Sequence, residues 1–185
     1  MYVHCELATT ARAGHTVQVL DGEHERRTGT AECKLRSLRT PHHAVTLIDL
    51  PGAAQHVDAT VSGIAAAQAV LLVVDSAVGA CERSLAKGGQ AREHALLAYM
   101  LGVRSVVVAV TKLDAGAAPY SQLRFEECVA VAAHCLKLVG YADRTVCVPC
   151  AGLIGDNVRT SSAAMPWCAA PNKPTCLRSE PRRSA

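Results

Sequence analysis

Four runs of apolar, β-branched-rich residues, separated by segments of helix length, constrain the fold of this 185-residue chain more than any other feature. The runs have the length of strands and cover residues 44–48, 69–74, 104–110 and 145–148. The helix-length segments between them are residues 55–66, 90–101 and 121–138. Strands that alternate with helices build a parallel sheet through right-handed crossovers. The order therefore predicts an α/β fold with a mostly parallel sheet, and the unbroken apolar runs indicate that both of its faces are covered.

Two of the predicted helices have clear ends and an apolar face. In the segment 121–138, Ser121 is a good N-cap and Gly140 a natural stop. Its apolar positions follow the helical spacing and are Phe125, Cys128, Val129, Ala132, Cys135 and Leu136. The segment 90–101 ends at Gly102, and its predicted core face comprises Ala95, Leu96, Tyr99 and Met100.

The pattern divides the chain into three parts. Residues 1–40 are polar and irregular, residues 41–167 contain the predicted α/β core, and residues 168–185 are rich in Pro, Ser and Arg and are expected to be disordered. Half of the residues are hydrophobic but only 3% are aromatic, so the core is expected to consist of Ala, Val and Leu. The length suits one domain.

Charge and cysteine content argue against several classes of protein. A net charge of +3 without a basic block gives no case for nucleic-acid binding. Nine cysteines are an odd number, and with no signal peptide we expect a cytoplasmic protein without a disulfide framework. The C-V-P-C motif at residues 147–150 follows a strand rather than opening a helix, and no second pair completes a zinc site. No apolar stretch is long enough to span a membrane.

Three of the predicted strands end in short motifs that carry recognisable chemistry. Ligands of a doubly wound sheet bind beyond the carboxyl ends of its strands. The first motif is D-L-P-G at residues 49–52. Asp49 is suited to hold Mg²⁺ through water, and the bare backbone of Gly52 lets its N–H approach a γ-phosphate. Taken alone, this motif is more often a simple turn.

The other two motifs are suited to a purine base. In T-K-L-D at residues 111–114, the carboxylate of Asp114 can accept two hydrogen bonds from the N1 and N2 edge of guanine, while the stem of Lys112 lies over the base. In C-A-G at residues 150–152, backbone N–H groups of Ala151 and Gly152 can meet the guanine O6. Each motif is common by chance, but their order and their places at successive strand ends favour a guanine-nucleotide fold.

Residues 45–167 resemble the G domain of eukaryotic translation elongation factor 1-alpha, a translational GTPase, in register and with few gaps. The three loop motifs are similar to the family's D-A-P-G, N-K-M-D and S-G turns. Longer matching words are Q-A-R-E-H-A-L-L-A-Y at 90–99, P-Y-S-Q at 119–122, G-D-N at 155–157 and M-P-W at 165–167. The resemblance implies a P-loop GTPase-like three-layer sandwich that binds GTP or GDP with Mg²⁺.

The resemblance also assigns roles to two threonines and implies partners. Counting back from Asp49 without gaps places Thr30 where the family has its Mg²⁺-binding switch threonine. Thr111 stands where the family has an Asn that joins the loops and contacts the purine, and a hydroxyl keeps part of that role. The family works with the translation machinery, and two further β-barrel domains help it to hold aminoacyl-tRNA. We do not expect residues 1–185 alone to bind tRNA.

The sequence departs from the family where phosphate is bound and water is activated. It contains no G-x-x-x-x-G-K-[ST] phosphate loop, and the family's first strand, in the middle of the sheet, is also missing. Residues 17–20 are the candidate to fill that gap. Ala53 replaces the histidine that orients the attacking water, so no catalytic residue is assigned. We therefore expect a truncated, degenerate relative with weak nucleotide binding and impaired or absent hydrolysis.

Two other interpretations remain open at this point. The chain can be a non-catalytic interaction module that uses a translation-factor-like surface to bind partners. It can also be a truncated product without a selected function, in keeping with its altered N-terminal and C-terminal segments.

Overall fold

The computed structural model describes residues 3–9, 34–39, 44–50, 57–116, 118–141, 145–158, 161–168 and 175–176. The strands are β1 Val3–Thr9, β2 Lys34–Arg39, β3 Ala44–Leu50, β4 Ala69–Asp75, β5 Ser105–Thr111, β6 Val146–Pro149 and β7 Thr175–Cys176. The helices are α1 Val57–Ala65, α2 Ala80–Leu85, α3 Gln90–Met100 and α4 Gln122–Val139.

The strands form one sheet in the order β2-β3-β1-β4-β5-β6-β7. β4, β5 and β6 are paired in parallel. β3 runs in the same direction, because β1 is antiparallel to both β3 and β4. These four co-directional strands are the four that the sequence predicts, so the α/β fold with a mostly parallel sheet is confirmed. β2 and β7 pair antiparallel with β3 and β6.

The expectation that residues 1–40 are irregular is wrong for β1 and β2. β1 lies between β3 and β4, in the position of the family's missing first strand, and runs antiparallel to both neighbours. Its sequence V-H-C-E-L-A-T alternates apolar and polar residues, which is a strand signal. β1 thus occupies the place considered for residues 17–20, which lie outside the described residues.

The expectation of a structureless tail is likewise wrong at β7. Its two residues pair with β6, Val146 with Cys176 and Cys147 with Thr175. Nothing in the local sequence favours a strand there, because two residues are too few to show an alternating pattern. The pairing is supplied by the open edge of β6, whose backbone groups need partners.

The described helices form one layer on a single face of the sheet. α1 contacts α3, α3 contacts α2 and α4, and each helix contacts a strand. Along β4, Val70, Leu72 and Val74 are fully buried under this layer, whereas Leu71 and Val73 point to the opposite face and are half-buried. The second helical layer of the predicted three-layer arrangement is not among the described residues. None of the described helices combines the length and hydropathy needed to cross a bilayer.

α4 confirms the predicted ends and core face. The Ser121 hydroxyl accepts a hydrogen bond from the Arg124 amide at 3.3 Å. Gly140 closes the helix at φ 115°, and a Cβ there would lie 2.7 Å from the Tyr99 ring, so both its conformation and its surroundings require glycine. All six predicted core positions of this helix are buried.

α3 is correctly predicted as a helix, but its predicted core face is partly wrong. The buried residues are Ala91, His94, Ala95 and Ala98, while Leu96 and Met100 are exposed. The buried set follows the i, i+3, i+4, i+7 spacing, so the periodicity holds on a different face. Small alanines allow the helix to approach the sheet closely, which a ranking by side-chain hydrophobicity does not reveal.

Free thiols contribute to the core. Cys81, Cys128, Cys135 and Cys147 are buried and unbridged, as expected for small apolar side chains. The Cys81 thiol on α2 donates a hydrogen bond to the Cys128 carbonyl on α4 at 3.9 Å, and the neighbouring Cys128 side chain together with burial raises the pKa of Cys81. Cys81 and Cys128 therefore join α2 to α4.

His94 makes stability depend on pH. Its ring is buried, its Nδ1 has no hydrogen-bond partner among the described residues, and desolvation lowers its pKa from 6.5. The unfolded chain therefore takes up a proton at a higher pH than the folded chain does. We expect the free energy of unfolding to fall as pH drops below about 6.5, by at most about 1.4 kcal/mol per pH unit for this group.

Urea denaturation of the chain and of His94→Leu between about pH 7.5 and pH 5 measures this dependence. Leucine cannot take up a proton, so the variant should lose less stability over this range. An equal loss in the two proteins would show that other groups govern the acid sensitivity.

Candidate functional site

The loops that follow the co-directional strands lie along one edge of the sheet. The strands β4 and β5 end beside each other, with Asp75 paired to Thr111. β5 and β6 are in register at the same edge, with Val110 paired to Pro149. This is the edge at which ligands of doubly wound sheets bind.

The T-K-L-D loop is held rigidly by its backbone. Lys112 has a left-handed conformation at φ 61°, and the next side chain, Leu113, is buried. The carbonyl of Thr111 accepts a hydrogen bond from the Ser76 amide at 3.0 Å, and the carbonyl of Leu113 accepts one from the Tyr120 amide at 2.7 Å. The buried Leu113 and the hydrogen-bonded carbonyls of Thr111 and Leu113 fix the loop. The side chains of Lys112 and Asp114, on either side of Leu113, therefore lie towards solvent.

Asp114 is the polar group of this loop that remains available. Its side chain is half-buried and makes no hydrogen bond or ion pair with any residue in the described part of the chain. A carboxylate accepts hydrogen bonds through two oxygens, so it is suited to a ligand with two adjacent N–H donors. The T-K-L-D motif predicts this residue as the guanine ligand.

The C-A-G loop lies against the T-K-L-D loop. The Cys150 amide donates to the Val110 carbonyl at 2.9 Å. The Cys150 thiol is half-buried, and burial raises its pKa. A Cβ added to Gly152 would stand 3.8 Å from Thr111 Oγ1, which places the two loops in direct contact. Thr111 therefore lies beside the C-A-G loop, and its role in joining the loops stays a prediction.

The two predicted backbone donors of this loop differ in whether their N–H group is already hydrogen-bonded. The Ala151 amide donates to the Asp156 carbonyl at 3.0 Å, and Ala151 is fully buried. Its N–H is therefore not available to a ligand, and the prediction for Ala151 is corrected to a structural role. The amide of Gly152 has no backbone partner among the described residues.

Residues of the matching sequence words act as supports for these loops. The Tyr120 hydroxyl donates to Asp156 Oδ2 at 2.8 Å, and the Trp167 indole donates to the Tyr120 carbonyl at 3.0 Å. The Trp167 ring packs on Phe125 with centroids 5.4 Å apart. Asn157 Nδ2 donates to the Pro149 carbonyl at 3.2 Å. The P-Y-S-Q, G-D-N and M-P-W words therefore hold the T-K-L-D and C-A-G loops in place.

Asp75 lies at this edge but belongs to none of the three predicted motifs. The Lys112 ammonium forms an ion pair with Asp75 Oδ2 at 2.7 Å, and the Ala77 amide donates to Oδ1 at 2.8 Å. Burial opposes ionisation of the Asp75 carboxyl, but these partners outweigh it and hold its pKa below the ordinary value. The one available signal was an acidic residue directly after a buried strand, where carboxylates often face a ligand.

Arg124 is a second cation near this edge, and its donors are also in use. Its guanidinium forms ion pairs with Glu82 at 2.8 Å and Glu127 at 2.9 Å, and donates to the Ser76 carbonyl at 2.7 Å. These bonds raise its pKa further and link α4, α2 and the turn after β4. Arg124 is a structural clamp, since it has little freedom to serve a ligand.

The phosphate side of the edge does not fit the family. β1 begins at this edge, because Val3 pairs with Leu50 of β3 and with Leu72 of β4. Its carboxyl end, Thr9, lies at the opposite edge, paired with Ala44. A phosphate loop follows the carboxyl end of a strand into a helix, so β1 cannot be followed by one here.

The remaining predicted site residues belong to the Mg²⁺ side. Asp49 is half-buried near the end of β3, with Lys34 opposite it in the β2 register. Gly52 and Thr30, as well as Ala53, lie outside the described residues. In the described part of the chain, no cluster of His, Cys, Asp and Glu side chains is suited to hold a metal ion.

Comparison with known proteins identifies the family of this fold. The family model named elongation factor Tu GTP binding domain matches residues 5–171. The chain belongs to this family of translational GTP-binding domains. It is 38% identical over 139 residues to elongation factor 1-alpha, oocyte form, of Xenopus laevis, and 40% identical over 139 residues to elongation factor 1-alpha-B of Schizosaccharomyces pombe. These alignments cover 75% of this chain and 30% of each relative, so the chain spans under a third of their length.

Solved structures agree with this assignment. The crystal structure of sup35 complexed with GDP superposes with a TM-score of 0.51 at 33% sequence identity, covering 55% of this chain and 26% of that one. The resemblance predicted for residues 45–167 is thus confirmed.

Proposed function

We propose that this chain binds guanine nucleotides weakly and does not hydrolyse GTP. Binding would use the loops after β5 and β6, residues 111–114 and 150–152, which are called the base loops below. One observation carries the proposal: the Cys150 amide donates to the Val110 carbonyl at 2.9 Å, and a Cβ on Gly152 would stand 3.8 Å from Thr111 Oγ1, so the loop of Gly152 lies beside the loop of Asp114. These loops remain assembled although the chain lacks a phosphate loop. The relatives support the ligand class, since sup35 was solved with GDP and with GMPPNP.

The proposed recognition is a matter of donor and acceptor complementarity. The Asp114 carboxylate accepts hydrogen bonds from N1–H and the N2 amino group of guanine, and the Gly152 amide donates to O6. Adenine has an acceptor at N1 and no amino group at C2, so it would leave the carboxylate unpaired. Because an unpaired buried polar group costs about 1–3 kcal/mol, this arrangement favours guanine. The stem of Lys112 covers one face of the base.

The proposed lack of hydrolysis follows from the groups that are missing. Ala53 carries a methyl group where the family's histidine orients water, and a methyl group cannot accept a proton or a hydrogen bond. When Mg²⁺ accompanies a nucleotide, Asp49 through water and Thr30 are the residues that would hold it, and the ion would neutralise phosphate charge. Without the phosphate loop, these two residues alone do not position a γ-phosphate.

The family supports a setting in cytosolic translation, and we propose the translation machinery as the source of its partners. The relatives named as elongation factors are more than three times as long as the aligned segment. The surface outside the loops 111–114 and 150–152 is the candidate region for such contacts. An interaction module of this kind is the alternative if the chain does not bind guanine.

NMR chemical-shift titration of the isotope-labelled chain with GDP and with ADP tests the proposal. We expect saturable shifts at the loops 111–114 and 150–152 with GDP only, and a dissociation constant weaker than about 1 μM, or less than about 8 kcal/mol of binding free energy. Equal responses to the two nucleotides, or none up to millimolar concentration, would contradict guanine recognition.

Phosphate release from GTP tests the second part of the proposal. We expect no turnover above background for the chain or for Ala53→His, because the histidine alone does not restore phosphate binding. Turnover that appears with Ala53→His would show that the phosphate site is intact.

A further inference from the structure

The strand that fills the centre of the sheet removes the usual means of binding phosphate. β1 is antiparallel to β3 and β4, and its carboxyl end lies at the edge opposite the base loops. The backbone N–H cradle of a phosphate loop needs the reverse orientation, in which the strand ends at the ligand edge and a helix begins there. At the ligand edge this chain has the start of a strand instead.

The charges along this edge also disfavour phosphate. Arg124 lies near this edge, but its guanidinium is committed to Glu82 and Glu127. The described segments that follow β4, β5 and β6 are residues 76–79, 112–116 and 150–158, and they contain one Lys or Arg residue, Lys112. They contain Asp114 and Asp156, and Asp75 ends β4 at the same edge. Two unit charges a few ångströms apart near a protein surface interact by a few kcal/mol, so the balance of these groups matters for an anionic ligand.

The single cation of these segments is already neutralised. The Lys112 ammonium is 2.7 Å from Asp75 Oδ2, and the same carboxylate is oriented by the Ala77 amide. The ion pair leaves the apolar stem of Lys112 free to lie along a base, but it removes the charge that would attract a phosphate. Asp75 therefore neutralises the ammonium of Lys112.

Backbone donors of the same turns are used as well. The Ser76 amide donates to the Thr111 carbonyl, the Ala77 amide to Asp75, and the Cys150 amide to the Val110 carbonyl. Phosphate sites are built from several converging N–H groups, and these three are not available for that purpose. The Gly152 amide has no backbone partner among the described residues, and in the proposed function it serves the base.

We infer that the site is specific for the guanine base and indifferent to phosphate, so that its ligand class is the guanine nucleoside, with nucleotides bound no tighter than guanosine. The inference rests on the proposed function, because it concerns the same two loops. It implies that the site does not distinguish GTP from GDP, and that the domain does not switch between nucleotide states.

NMR titration of the full chain with guanosine, GMP, GDP and GTP, with and without Mg²⁺, tests the inference. We expect dissociation constants within about threefold of one another, with the triphosphate weakest at low salt, where charge repulsion is least screened. GDP or GTP binding about tenfold tighter than guanosine would overturn the inference and leave the proposed function standing. A response to guanosine no larger than the response to adenosine would overturn both.

The variant Asp75→Asn tests the neutralising ion pair. Releasing the Lys112 ammonium should tighten GTP binding by about three- to tenfold while guanosine binding changes less than about twofold. Glu126→Gln removes an exposed carboxylate on α4 that is hydrogen-bonded to Gln122, and it is the matched control for a change in net charge. The role of Asp75 would be refuted if the ratio of GTP affinity to guanosine affinity stayed the same in Asp75→Asn. It would also be refuted if that ratio changed equally in Glu126→Gln.

Discussion

Replacement of Asp114 by alanine is expected to weaken guanosine binding about a hundredfold, because it removes two hydrogen bonds to a charged acceptor worth about 3 kcal/mol together. The side chain has no partner in the described part of the chain, so its loss breaks no internal bond. The change should thus affect binding without affecting the fold. Titration with guanosine and with adenosine measures the effect, and adenosine binding should be unchanged.

The control for Asp114→Ala is again Glu126→Gln, which alters net charge on α4 and should bind guanosine as the parent chain does. Circular dichroism and thermal unfolding of each protein establish that the fold is retained. If Asp114→Ala binds guanosine within about twofold of the parent, the loop after β5 does not recognise the base edge.

Replacement of Gly89 by alanine is expected to destabilise the fold by about 3 kcal/mol. A Cβ at this position would lie well inside contact distance of the backbone carbonyls of Arg83 and Ser84, in the last turn of α2. Backbone atoms cannot rotate away as a side chain can, so α2 and α3 would have to separate. Urea denaturation followed by circular dichroism measures the free energy of unfolding.

The neighbouring Gly88 separates steric clash from backbone strain. Gly88 has φ 79°, but a Cβ there would meet no atom within 4 Å. Gly88→Ala should therefore cost only the left-handed strain, about 1 kcal/mol. A loss in Gly88→Ala equal to or greater than that in Gly89→Ala would show that the α2–α3 junction tolerates the added methyl group.

The fold is predicted well where local pattern and tertiary packing coincide. All six apolar positions of α4 are buried, and the helix begins after Ser121 and ends at Gly140 as their cap preferences indicate. In α3 the same reasoning selects the wrong face, because the larger Leu96 and Met100 are exposed and three alanines are buried. Which face of a helix is buried depends on how closely the sheet approaches it, and hydrophobicity alone does not report that distance.

The site is predicted in its residue types but not in its connections. The motifs of Asp114 and Gly152 identify the base loops, while the commitment of the Ala151 amide to Asp156 and of Lys112 to Asp75 does not follow from either motif. These bonds join residues that are distant in sequence, and only the strand order brings them together. Tyr120 and Trp167 are visible in the sequence only as parts of matching words, and their function as supports depends on contacts across the loops.

By itself, the sequence determined the four co-directional strands and the family, because these depend on local pattern and on residue type. It also determined the absence of a phosphate-loop motif. The tertiary structure decided the direction of β1, whose alternating pattern is the same whichever way a strand runs. The direction of β1 leaves no place for a phosphate loop at this edge, and the ion pair between Lys112 and Asp75 neutralises the cation there. Both depend on contacts between segments that are distant in sequence, which a local pattern does not report.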